Sequence, residues 1–180
     1  MGSYNYGKID VLNVIMDQAA QKGPEQLRIL DVGTCDGKWS EILNLGFAVR
    51  DLPEPIIDGC EAFKPNASIC LNKYRNMFVG PICDYHYSPG DYDLVLFGDV
   101  IEHMDVKTAR TVLEYAIARV EEVIVGVPYL YEQDAIYGNP FEVHIQPDLT
   151  EQIFEERYGD LGLVRFLHPA DDYAYYKKAR

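Results

Sequence analysis

Acids and imidazoles that could bind or react fall into three short stretches of this 180-residue chain. Asp31 precedes a turn holding Gly33 and Gly37, placed just after the apolar run LRILDV. Glycine in such a turn lets backbone come close to a ligand. A carboxylate there would repel a pyrophosphate, so Asp31 suits a cationic or amine-bearing ligand. Glu61 ends a second apolar run, IIDGCE, where a carboxylate can accept from both hydroxyls of a nucleoside ribose. Asp58 in the same run is the alternative. Asp99, Glu102 and His103 stand three and four apart, so on a helical turn they share a face and could hold a divalent metal, with the distant His144 as a fourth ligand.

These groups need a frame. Apolar runs at 27–32, 55–61, 77–79, 92–97 and 122–127 read as strands. Helical periodicity fills the segments between several of them: 9–19 ahead of Gly23-Pro24, 38–45 ending near Gly46, a helix within 62–74 with Pro65 in its first turn, and 106–120 behind the cap Asp105. Strands alternating with helices imply parallel βαβ units. Runs such as 94–97 and 123–127, apolar without alternation, suit strands covered on both faces. Asp148 or Thr150 caps a short helix, and 163–167 with 173–176 form a closing hairpin. The stretch 128–147 has no period and is rich in aromatics, which points to function.

Composition narrows the class. Hydrophobic residues make up 48% and charged residues 25%, the balance of a globular chain long enough for its own core. One domain over 1–180 is expected. The net charge of −13 opposes long nucleic acids, whose binding depends on cationic contacts; the one small basic cluster is Lys177, Lys178 and Arg180. Four cysteines, none in a CxxC pair, suggest reduced thiols and a cytoplasmic setting. No apolar run is long enough for a bilayer. The first residues lack the form of a secretion signal, and Tyr6 stands where myristoylation wants Ser or Thr.

The stretch Asp31-Val32-Gly33-Thr34-Cys35-Asp36-Gly37 resembles motif I of the class I S-adenosylmethionine-dependent methyltransferases, Asp/Glu-x-Gly-x-Gly-x-Gly, with Cys35 in place of the middle glycine. YDLVLFGDVIEHM at 92–104 looks like the YDhVhhxDVLEH segment of the subfamily containing many small-molecule O- and N-methyltransferases. The resemblance implies a Rossmann-like three-layer α/β sandwich: a mostly parallel seven-stranded sheet with an antiparallel strand from the C-terminal hairpin. It implies S-adenosylmethionine as cofactor, with Asp31, Gly33, Thr34, Cys35 and Gly37 in the binding turn. Glu61 would meet the ribose, Asp84 the adenine amino group with Tyr85 beside the ring, and Gly98 and Asp99 the methionine part.

Methyl transfer to a small-molecule acceptor follows, and the acceptor itself is not written in the sequence. For a hydroxyl acceptor, His103, His144 and Tyr129, the last paired with Tyr131, are the candidate bases. The rings of Tyr129, Tyr131, Tyr137 and Phe141 either enclose the acceptor or pack on the sheet edge. The segment at 99–103 also resembles metal-dependent relatives, the ubiquinone-pathway O-methyltransferases and those acting on small-RNA 3′ ends, which use Glu-x-x-Glu-His; Asp99 replaces the first glutamate. The reading without a metal is preferred. Two rivals stand: a nicotinamide-dependent dehydrogenase, against which Asp31 argues, and a non-catalytic module that keeps the fold and binds a partner. Oligomeric state is left open.

Overall fold

The computed structural model describes residues 7–23 and 26–179. The opening residues, with Tyr6, lie outside them, as do Pro24 and Arg180.

Seven strands form one sheet: β1 Arg28–Val32, β2 Ile56–Glu61, β3 Met77–Val79, β4 Leu94–Gly98, β5 Glu122–Pro128, β6 Leu163–Ala170 and β7 Tyr173–Lys178, in the order β3-β2-β1-β4-β5-β7-β6. The first five are parallel; β7 is antiparallel to both its neighbours, β5 and β6. After β1 the chain builds outward to β2 and β3, then returns to place β4 on the other side of β1. This reversal leaves a crevice beyond the carboxyl ends of β1 and β4, where ligands of open α/β sheets bind.

The uniformly apolar centres of β4 and β5 are buried throughout, because helices cover both faces. Helices α1 Lys8–Lys22, α2 Lys38–Val49 and α3 Lys64–Cys70 cover one face, their core including Val11, Ile15, Leu43, Phe47 and Cys70. Helices α4 Val106–Ile117 and α5 Glu151–Tyr158 cover the other, with Val112, Leu113, Phe154 and Tyr158 packed inward. Caps set the boundaries: the Asp105 carboxylate accepts from Thr108 N–H at 3.0 Å, and the Thr150 hydroxyl accepts from Ile153 N–H at 3.1 Å. Thr150 rather than Asp148 is thus the α5 cap; Asp148 pairs with Arg157.

α2 does not stop at Gly46 as expected. A Cβ there would lie 2.7 Å from Leu12 Cδ2, so the missing side chain brings α2 against α1 instead of ending the helix. Past Pro128, which ends β5, the stretch to 147 is irregular apart from an isolated bridge between Ile136 and Asn139 and a 3-10 turn, Pro140–Glu142. It leaves β5 as a broad loop whose base is closed by Leu130 N–H donating to Leu149 O at 2.9 Å.

Candidate active site

The strand tips open into a cavity of roughly 620 Å³. One side is built by the turn after β1. Gly33, Cys35 and Gly37 are all left-handed there, with φ of 73°, 48° and 81°, and the reversal exposes backbone to the cavity. A Cβ at Gly33 would come within 2.7 Å of Val100 Cγ2. Gly33, Thr34 and Cys35 line the cavity, as expected. Gly37 does not. It precedes α2, and a Cβ there would strike Lys73 and Cys70, so it serves packing against the segment after β2.

Glu61, at the tip of β2, lines the same side. Its Oε2 accepts from Cys35 N–H and its Oε1 from Phe63 N–H, each at 2.8 Å. Burial nevertheless raises its proton affinity. Each oxygen keeps a second lone pair for a ligand hydroxyl. The alternative, Asp58, is consumed elsewhere: its carboxylate accepts from Arg75, Asn76 and the Tyr92 hydroxyl, away from the cavity.

Four further expected contacts, Asp31, Asp84, Tyr85 and Tyr129, are not brought to the cavity. Asp31 points from β1 into the layer beneath α1 and α2, where it accepts from the Tyr74 hydroxyl at 2.6 Å and burial pushes it up to about 7. Asp84 is exposed at the end of a 3-10 turn, and the Tyr85 ring packs on Phe78 with its hydroxyl bonded to that of Tyr92. Gly80, Pro81, Ile82 and Cys83 form the wall where those two were placed. Tyr129 turns into the core, its hydroxyl bonded to that of Tyr176. Of the other loop rings, Tyr131 and Phe141 line the cavity, while Tyr137 is 88% exposed outside it.

Gly98, the last residue of β4, and Asp99 after it form the floor. Asp99 is left-handed at φ 58° and accepts from the buried Tyr173 hydroxyl at 2.6 Å. Gly98 leaves room for Trp39: a Cβ there would sit 2.5 Å from the indole Nε1. That Nε1 is buried with no partner among the described residues, although the ring lines the cavity. Lys8 lies over the outer face of the indole, 5.2 Å from its centroid. Neither Trp39 nor Lys8 was expected; the hint was the chain's single tryptophan standing two residues after Gly37.

The remaining side holds Glu102, His103 and His144, whose ligating atoms all lie within 4.8 Å of one another. The loop is drawn in because the Glu102 carbonyl accepts from both Ile145 N–H and Gln146 N–H, at 2.9 and 3.0 Å. His103 Nδ1 faces Val143 O at 3.2 Å and His144 Nδ1 faces Tyr131 O at 2.7 Å. A carbonyl fixes the proton on Nδ1 and leaves Nε2 as the lone-pair nitrogen. Burial, and then His144, pushes His103 down to about 4; burial also lowers His144. Glu102 is fully buried and neither oxygen has a hydrogen bond among the described residues; Oε1 stands 4.0 Å from His103 Nε2. Burial, reinforced by Asp99, raises its proton affinity well above the ordinary range. Of the expected trio Asp99, Glu102 and His103, the last two are brought together with His144, while Asp99 Oδ1 accepts from Tyr173.

No protein-family model matches the sequence, and no curated protein matches it either. Solved structures do. A methyltransferase from Clostridium acetobutylicum, S-adenosylmethionine-dependent, superposes with a TM-score of 0.65 at 11% identity, over 97% of this chain and 91% of that one. Magnesium protoporphyrin IX methyltransferase from Synechocystis, with bound S-adenosylmethionine, gives 0.63 at 12% identity, over 99% and 86%. The S-adenosylmethionine-dependent methyltransferase SibL gives 0.60 at 17% identity over 96% of this chain; the chain spans 56% of SibL. With the strand order, the left-handed turn after β1 and the cavity at the strand tips, these likenesses show that the chain has the fold of the class I S-adenosylmethionine-dependent methyltransferases.

Proposed function

We propose that the chain transfers the methyl group of S-adenosylmethionine to a nucleophilic oxygen or nitrogen of a small-molecule acceptor. One observation carries this reading: a single cavity joins the turn at 33–35 and Glu61 to the imidazoles of His103 and His144. The residues present fit the cofactor. Glu61 has lone pairs for a ribose diol, residues 80–83 offer a wall for the base, and the orphaned Trp39 Nε1 offers a buried donor beside Asp99. Bound there, the cofactor supplies a methyl group activated by a sulfonium for in-line displacement.

The protein's share is largely positioning. Burial, reinforced by the adjoining His144, keeps His103 neutral in the resting state, so its Nε2 can accept the proton released by the acceptor. Asp99 adds a carboxylate near the place where positive charge must be held.

A second reading is favoured by Glu102, His103 and His144. A buried carboxyl group without a hydrogen bond among the described residues and two carbonyl-oriented neutral imidazoles are a donor set suited to a divalent metal. These three residues would hold it, and the ion would act as a Lewis acid on the acceptor hydroxyl.

Calorimetry with S-adenosylmethionine and S-adenosylhomocysteine tests the first reading: saturable binding of both is expected, and no binding of either overturns it. For the second, Mn²⁺ should raise the unfolding midpoint of the wild type and leave that of Glu102→Gln unmoved. An equal shift in both proteins rejects the metal centre.

A further inference from the structure

The residues contributed by 102–145 bear on which acceptor the cavity takes, an inference that rests on the methyl-transfer reading. Three rings form a continuous wall. His103 meets His144 edge to face with centroids 4.7 Å apart and planes at 72°, and Tyr131 meets His144 in the same manner at 5.3 Å and 66°. Met104, Phe141 and Ile145 supply apolar lining. Phe141 and Ile145 are 47% and 57% exposed, so this apolar surface faces water unless a ligand covers it. Edge-to-face arrays accept a further flat ring in offset or perpendicular contact.

The charges on this side are all of one sign. Asp99, Asp105 and Glu142 line the cavity, whereas Lys38, in the first turn of α2 beside the glycine turn, is the only lysine or arginine lining it among the described residues. We propose that the acceptor is a flat aromatic molecule, neutral or cationic, that carries its nucleophile on or near the ring and bears no acidic group. An acidic acceptor would be held among carboxylates in a partly desolvated space, where like charges repel strongly.

The test uses protein saturated with S-adenosylhomocysteine, with a chelator present so that no metal anchors an anion. Calorimetric titrations compare para-ethylphenol, tyramine and para-hydroxyphenylacetate, which share a phenol ring and differ in charge, with para-ethylcyclohexanol as the saturated control. The phenol and the amine should bind, and the acid about tenfold or more weaker than para-ethylphenol. The saturated alcohol should also bind more weakly than para-ethylphenol. Phe141→Ala should weaken para-ethylphenol binding several-fold. Equal or tighter binding of the acid, equal binding of the saturated ring, or no binding of any probe to the loaded protein overturns the inference. Failure of S-adenosylhomocysteine itself to bind is the separate result that removes the methyl-transfer reading.

Discussion

Replacing Asp31 with asparagine should stabilise the ligand-free protein at pH 8 and change it little near pH 4. Asp31 is fully buried; Oδ2 accepts from the Tyr74 hydroxyl, and Oδ1 has no partner among the described residues. Burial outweighs the Tyr74 bond and moves the group from 3.8 to about 7. Between those values the folded protein keeps a proton that the unfolded chain has released. Stability is therefore complete at the acid end of the window, falls as pH rises through it, and levels off above about 7. A shift of roughly three units corresponds to about 4 kcal/mol, at 1.4 kcal/mol per unit. Asparagine still accepts from Tyr74 and carries no charge, so it escapes that loss. About 3 kcal/mol of the advantage should appear between pH 5 and 8, or ~6–12 °C in Tm for a chain of this size. Thermal unfolding of both proteins, followed by circular dichroism at pH 5 and 8, measures it. A difference that does not grow with pH, or a variant less stable than the wild type at pH 8, would refute the reasoning.

Other consequences can be checked by similar means. Glu61→Ala should weaken S-adenosylmethionine binding by about tenfold or more, two charge-assisted hydrogen bonds being removed; calorimetry reads it, and an unchanged affinity would assign the ribose to another residue. His103 is held below its ordinary value of 6.5, at about 4, so the unfolded chain binds more protons in that window and wild-type stability falls as pH drops through it, by roughly 3 kcal/mol for this group. His103→Gln should flatten that acid-side slope in urea unfolding at pH 4.5 and 7. Tyr129→Phe should cost about 1 kcal/mol through its lost bond to Tyr176 and leave cofactor affinity unchanged; a large loss of affinity would return Tyr129 to the site.

Much of the frame was legible because it follows from local pattern. Apolar runs without alternation place β4 and β5 at the centre of the sheet, and Asp105 announces α4. The turn at 33–37 was legible because left-handed backbone leaves glycines in the sequence. Side-chain direction was harder. Asp31 and Val32 are neighbours on β1, yet successive residues face opposite sides of a sheet, so Val32 reaches the cavity while Asp31 lies under α1 and α2. Asp84 and Tyr85 lie away from the cavity for a related reason: the 3-10 turn leaves Asp84 exposed and carries the Tyr85 ring onto Phe78, so residues 80–83 face the cavity instead. The imidazole pair was the least legible, because Glu102 and His144 meet through a loop closure that no periodicity signals. Reading Asp99 as a ligand was reasonable from its spacing, but it could not foresee Tyr173 arriving from the last strand.

The tie between that loop and the turn after β4 bears on how the two imidazoles are held. Gln146 donates to Ile101 O and Met104 O and accepts from the Tyr158 hydroxyl, while the Glu102 carbonyl holds Ile145 and Gln146. At the other end, Leu130 is pinned to Leu149. The segment therefore behaves as a handle riveted at both ends. Between the two rivets, the span 131–144 holds both imidazoles in place, Val143 O meeting His103 Nδ1 and Tyr131 O meeting His144 Nδ1, so the orientation of each ring depends on this one piece of chain.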